Sequence, residues 1–247
     1  MIELQHIAKL YEVGGQPIYA LRDTSETIQS GEYVAIVGPS GSGKSTLLNI
    51  IGCLLRPSSG AYVLEGQDVS QLDDHALSHV RQHNIGFIFQ SFHLLPRLTA
   101  LGNVALPMVF AGVPSAERQA RALDALESVG LADRAQHRPS QLSVGQRQRT
   151  VIARAIIMHP KLLLADEPTG NLDTSSGQQV MELLELLNRQ GLTLLVVSHD
   201  PNVARRAKRV LVLADGQIVK RLTGAEFPVS SMPFSQGKTS EDETSRC

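Results

Sequence analysis

The chain has 247 residues, 42% of them hydrophobic, with 23 Lys and Arg against 24 Asp and Glu and a formal net charge of −1. That length holds one large α/β domain or two small ones, and the balanced charge gives no basic surplus to attract nucleic acid, leaving open only a local patch. Cys53 and Cys247 lie far apart and read as free thiols of a reducing compartment, which excludes a disulfide-stapled fold.

In chain order, Met1 to Gln5 lacks the basic start and long apolar core of a secretory leader. Residues 2–8 and 18–28 have the spacing of strands, and between them lie Tyr11 and the turn Gly14-Gly15. A tyrosine ahead of a phosphate-binding loop can stack on adenine; it can equally be half-buried packing. Tyr33 to Val37 is a short apolar strand, and Leu47 to Leu55 an apolar helix carrying Cys53. The stretch between them, Gly38-Pro39-Ser40-Gly41-Ser42-Gly43-Lys44-Ser45-Thr46, fits G-x-x-x-x-G-K-[ST]. Gly41 and Gly43 permit a tight turn in which successive N–H groups converge on phosphate oxygens, and the following helix points its positive end at the same anion. Lys44 brings charge to the β- and γ-phosphates and the Ser45 hydroxyl suits Mg²⁺. Strand, loop and helix in register point to binding of a nucleoside triphosphate.

Gly60 to Gly66 reads as a further strand and turn, and Asp73 to His83 as a polar helix with His75, His79 and His83 on one stripe. Histidines four apart can hold a metal, but with no Cys beside them and no HExxH the stripe is read as a solvated face. Ile85 to Phe89 is an apolar strand ending at Gln90, a residue that can reach Mg²⁺ or an attacking water, or can simply terminate a strand. From Ser91 to about Met158 the pattern turns to helices and loops, with Pro96, Pro107, Pro114 and Pro139 marking breaks. Helices are expected over Leu101 to Ala111 and Ala116 to Val129, with a polar loop over Asp133 to Ser140. The longest apolar stretch, near Val104 to Val113, is too short to cross a bilayer, so a soluble, cytoplasmic protein is expected.

Leu142-Ser143-Val144-Gly145-Gln146 precedes a helix through Ile157, and Ser143 is a natural N-cap that leaves free N–H groups for an anion. Leu162 to Ala165 suits a parallel strand buried on both faces, with Asp166 and Glu167 at its carboxyl end, where open α/β sheets place ligands. Asp166 can hold Mg²⁺ and Glu167 can polarise a water. Thr174 to Arg189 is a helix, Leu192 to Val197 a buried strand ending at Ser198-His199-Asp200, and His199 a candidate γ-phosphate contact. From Glu226 onward, Ser, Thr, Pro and charge dominate, and a disordered tail is expected over 226–247.

Laid out in this order, the residues resemble the ATPase subunit of an ABC transporter over about 1–224. Tyr11 matches the adenine-stacking position, Gly38 to Thr46 Walker A, Gln90 the Q-loop, Leu142 to Gln146 the signature, Leu164 to Glu167 Walker B, Asn171-Leu172-Asp173 the D-loop, and His199 the switch histidine. Phe92-His93-Leu94-Leu95-Pro96, the Asn103 to Pro107 stretch and Glu167 to Asp173 look like the lipoprotein-release and macrolide-export group. The resemblance implies an α/β P-loop NTPase (RecA-like) core with an N-terminal antiparallel β-subdomain and an inserted helical subdomain at about 91–158, together forming residues 1–225. It implies ATP and Mg²⁺ as cofactors, with Ser45, Gln90 and Asp166 at the metal and Glu167 and His199 in catalysis. Ser143, Gly145 and Gln146 are implied to meet the nucleotide of a second copy in a head-to-tail homodimer. It also implies an integral-membrane permease, beside the Gln90 groove lined by Phe92 to Leu98, and a place on the cytoplasmic face of the inner membrane.

One position departs. The family signature usually reads Leu-Ser-Gly-Gly-Gln, and here the third place is Val144. If Ser143 is the cap, Val144 is the first helical residue and a side chain fits there. Two other function classes share parts of the pattern. Soluble ABC ATPases of DNA or ribosomes carry paired domains, coiled-coil or zinc insertions, or basic arms, which are missing here. A regulatory scaffold of cell-wall enzymes shares both fold and membrane partner, and the sequence does not separate it.

Overall fold

A computed structural model describes residues 1–228. The chain opens with β1 (Ile2–Val13), β2 (Gln16–Ile28) and β3 (Tyr33–Val37), followed by α1 (Lys44–Ile51), β4 (Ser59–Leu64), β5 (Gln67–Asp68), α2 (Asp74–Asn84) and β6 (Ile85–Ile88). The helical stretch α3 (Ala100–Phe110), α4 (Ser115–Ser128) and α5 (Val144–Ile156) comes next. The chain then alternates through β7 (Leu162–Asp166), α6 (Thr174–Arg189), β8 (Thr193–Val197), α7 (Pro201–Arg206), β9 (Arg209–Ala214) and β10 (Gln217–Thr223).

Two sheets result. One is antiparallel in the order β2-β1-β4-β5; the other runs β10-β9-β3-β8-β7-β6, parallel except for the β9–β10 hairpin. The apolar runs of β3 and β8 are buried along their whole length, as central parallel strands must be. Alternation along β3 sorts its residues between two cores. Val34 and Ile36 pack with α1 and the antiparallel sheet, while Tyr33, Ala35 and Val37 pack toward α3 to α7. An α/β core, an antiparallel N-terminal sheet and a helical insertion follow directly from these two faces.

Several boundaries differ from the sequence expectation. The first hairpin extends to the Gly14-Gly15 turn, so Tyr11 lies within β1, paired with Ile18, rather than in a loop. Pro107 does not break α3 but sits within its last turn, where the helix forgoes the N–H bond to the Asn103 carbonyl. Two short 3₁₀ turns, Ala132–Arg134 and Pro139–Gln141, overlap the two ends of the expected 133–140 loop. The folded domain continues past residue 225: Phe227 is 2% exposed and belongs to the helical-side core. The rest of the expected tail, 229–247, lies outside the described residues.

Candidate functional site

The phosphate loop joins β3 to α1. Gly41 and Gly43 stand at φ 78° and 100°, and a Cβ on Gly43 would lie 2.3 Å from the Ala20 carbonyl oxygen. Only glycine allows that approach. Lys44 reaches back across the loop, its Nζ donating to the carbonyl oxygens of Gly38 at 3.0 Å and Pro39 at 2.8 Å. Burial lowers the Lys44 pKa, and the carboxylates of Glu167 and Asp166 oppose that shift. The ammonium is thus a partly desolvated charge facing two acids, poised for a polyanion.

Those acids end β7, beside β8 and opposite the loop. Burial raises the Asp166 pKa, while a hydrogen bond from the Ser45 hydroxyl and the Lys44 charge lower it. Ser45 and Asp166 therefore converge as two hard oxygen donors, the set that Mg²⁺ takes. Glu167 sits at φ 48°, its N–H donating to the Val197 carbonyl at 2.9 Å. Its carboxylate is gripped by two groups from the end of β8: His199 Nδ1 lies 2.9 Å from Oε1, and Ser198 Oγ donates to Oε2 at 3.2 Å. The His199 side chain is 71% exposed and that of Glu167 13%, so the imidazole borders the opening above a sheltered acid.

One cavity of about 440 Å³ gathers Gly38, Ser40, Gly41, Gly43, Lys44, Ser45, Thr46, Gln90, Asp166, Glu167 and His199. Ala20 and Val197, which the sequence did not single out, also line it. Pro39 and Ser42 belong to the loop but do not line the cavity; the buried Ser42 Oγ has no hydrogen-bond partner among the described residues. Tyr11 stands outside it on the exposed end of the first hairpin, with Lys9 Nζ 5.3 Å from its ring centroid. Directly paired residues share a sheet face, so Ile18, 49% exposed, extends the Tyr11 surface. A strand reading of Tyr11 would have found Ile18; nothing in the sequence marks Ala20.

The signature residues are elsewhere. Ser143 is the N-cap of α5, its Oγ accepting from Gln146 N–H at 3.2 Å while Gln146 Oε1 accepts from Ser143 N–H at 2.9 Å. Gln146 is thus engaged in capping its own helix. Gly145 packs on the start of α6: a Cβ there would lie 3.0 Å from Ser176 Oγ. None of the three lines the cavity around Lys44. The D-loop residue Asn171 is tied to the Q-loop, Nδ2 donating to the Gln90 carbonyl at 3.0 Å. The histidine stripe on α2 is real, with ring centroids 4.8 and 5.9 Å apart, but among the described residues no His, Cys, Asp and Glu cluster has metal-binding geometry.

A family model described as ABC transporter matches residues 21–170, more than half of the chain. The chain belongs to the ABC transporter family. The ABC transporter ATP-binding protein YvrO of Bacillus subtilis is 51% identical over 219 residues, covering 89% of this chain and 96% of that one. The macrolide export ATP-binding/permease protein MacB of Rhodopseudomonas palustris is 52% identical over 226 residues, 91% of this chain but 35% of MacB. The solved ATP-binding cassette MJ0796, dimeric and bound to ADP and Pi, superposes with a TM-score of 0.84 at 45% identity, covering 90% of this chain and 98% of that one. This chain is accordingly an ATP-binding, ATP-hydrolysing cassette of the ABC fold, a subunit of a membrane transporter. Among the described residues no helix is long and apolar enough to cross a membrane.

Proposed function

We propose that this cassette pairs head to tail with a second copy and hydrolyses ATP between them to drive an export-type permease at the cytoplasmic face of the inner membrane. The observation that carries the reading is the split site. Lys44, Ser45, Asp166, Glu167 and His199 meet in one cavity, whereas the capped start of α5 stands apart from it, an anion-binding helix end without a lysine or metal ligand of its own. A second copy supplies the missing half. Tyr11 and Ile18 offer an apolar platform for the base, the loop amides and Lys44 hold the β- and γ-phosphates, and Ser45, Asp166 and Gln90 would hold Mg²⁺, which neutralises phosphate charge when bound. Glu167 takes a proton from water as its oxygen bonds to the γ-phosphorus; the bond to the β-phosphate oxygen breaks and phosphate leaves. His199, bonded to that carboxylate, keeps it aimed at the water's position.

Coupling to the permease is assigned to a groove of about 610 Å³ beside β6, lined by Phe87, Phe89, His93, Leu106, Pro107 and Phe110. Phe110, 79% exposed, and Val109, 47% exposed, put apolar surface beside this groove, which supports its being covered by another chain. Of the expected Phe92 to Leu98 lining only His93 takes part; Phe92 and Leu94 pack against the core. Arg154 of α5 donates to the Phe92 and His93 carbonyls at 3.0 and 2.7 Å, linking the groove to the signature helix. Similarity to MacB favours export as the direction, and nucleic acid has no place in this reading.

Two substitutions test it. Glu167→Gln should retain ATP binding while slowing turnover by about 10²–10⁴-fold, the range for losing a positioned acid or base. Lys44→Ala should weaken nucleotide binding itself. Near-normal turnover in the first, or unchanged ATP affinity in the second, would contradict the assignment. Purification from detergent-solubilised membranes should bring down an integral-membrane subunit, and a cell-wall enzyme regulator in its place would point to a scaffold.

A further inference from the structure

Glu167 occupies the left-handed region immediately before Pro168, a place that a non-glycine residue leaves unless its surroundings prevent it. The turn's internal hydrogen bonds run from Gly170 N–H to the Glu167 carbonyl at 3.1 Å and from Leu172 N–H to the Thr169 carbonyl at 3.0 Å. Neither engages the carbonyl of Pro168. Gln148 does: its Nε2 donates to that oxygen at 2.8 Å, from a side chain only 2% exposed. Pro168 is buried as well, so water does not replace this bond. The donor lies in the second turn of α5, the helix whose first residues are Val144 and Gly145.

We infer that Gln148 is a positioning residue for hydrolysis: its hydrogen bond to Pro168 pins the backbone turn that aims the Glu167 carboxylate, and fastens that turn to the signature helix. The inference rests on Glu167 acting as the base. It explains why a carboxamide is buried on α5 among Thr150, Val151, Ile152 and Ala153. A consequence is that the two half-sites of one chain, its own Glu167 and the α5 end that serves the other copy, cannot shift independently. Movement of α5 on closure is passed to the Glu167 turn through this bond.

Two variants remove the bond differently. Gln148→Met keeps the length and volume without the N–H, and Gln148→Asn keeps the amide but falls one methylene short. ATPase kcat and KM, nucleotide affinity and melting temperature are measured for each, with Glu167→Gln and the Gln148→Met/Glu167→Gln double variant. The expected result is a kcat lowered about tenfold or more, a KM changed by less than about threefold, and a double variant no slower than Glu167→Gln alone. Normal kcat in a folded variant overturns the inference, as does a raised KM with kcat kept. Additive losses in the double variant mean that Gln148 acts independently of Glu167 and also overturn it. Loss of folding in both single variants makes Gln148 a structural residue only, and overturns it too. Near-normal turnover of Glu167→Gln would instead remove the base assignment itself, whatever the Gln148 variants do.

Discussion

At the start of α5, Ser143 has an extended backbone, φ −63° and ψ 166°, and shares two hydrogen bonds with Gln146, so Val144 is the first helical residue. Its side chain is 36% exposed and needs no unusual φ. Val144→Gly should therefore change the ATPase rate by less than about threefold, whereas Ser143→Ala loses a cap of about 1 kcal/mol and costs more. Both are read at saturating ATP, and a tenfold gain in the glycine variant would make Val144 a brake on closure. The cap was legible from Ser and Gln three apart. The grip of His199 and Ser198 on Glu167 was not, because those residues come from different strands and only the β7–β8 pairing brings them together. Each acid and base was visible; their partnership was a property of the sheet.

Between Leu95 and α3 the chain has no repeating backbone pattern, and one side chain organises it. Asn103 is fully buried, accepting from Leu95 N–H at 2.7 Å and donating to the carbonyls of Leu95 and Thr99 at 3.2 and 2.9 Å. Asn103→Ala would leave those groups unpaired in the interior and should lower stability by roughly 2–4 kcal/mol, measured by urea unfolding. A loss under about 0.5 kcal/mol would show that the loop holds itself. At this scale the periodic segments β3, β7, β8 and α4 to α6 could be read from the spacing of apolar residues. The 92–98 loop could not: with neither period 2 nor 3.6, nothing in it says that Phe92 turns to the core while His93 faces the groove.

The whole domain closes on its C-terminal segment. Composition placed the boundary at residue 225, since Ser, Thr and charge dominate beyond it, but composition averages over a window and hides one well-placed aromatic. Phe227 is buried in the helical-side core, and the Gly224–Glu226 turn just before it packs on α7. Cutting after Ala225 should destabilise the domain by about 3–5 kcal/mol relative to cutting after Pro228, the cost of removing a buried phenyl ring. Equal melting temperatures for the two truncations would deny Phe227 that role.

In the proposed mechanism ATP completes its own site by joining two copies, with Ser143 and Gly145 of one closing over the nucleotide held by Lys44 of the other. Sedimentation velocity on the Glu167→Gln variant reads that step without the complication of turnover. With ATP and Mg²⁺ the variant should sediment as a species of about twice the chain mass, revert to monomer in ADP, and fail to pair when Ser143→Ala is added. A monomer at saturating ATP, or a dimer indifferent to the γ-phosphate, would rule the shared site out.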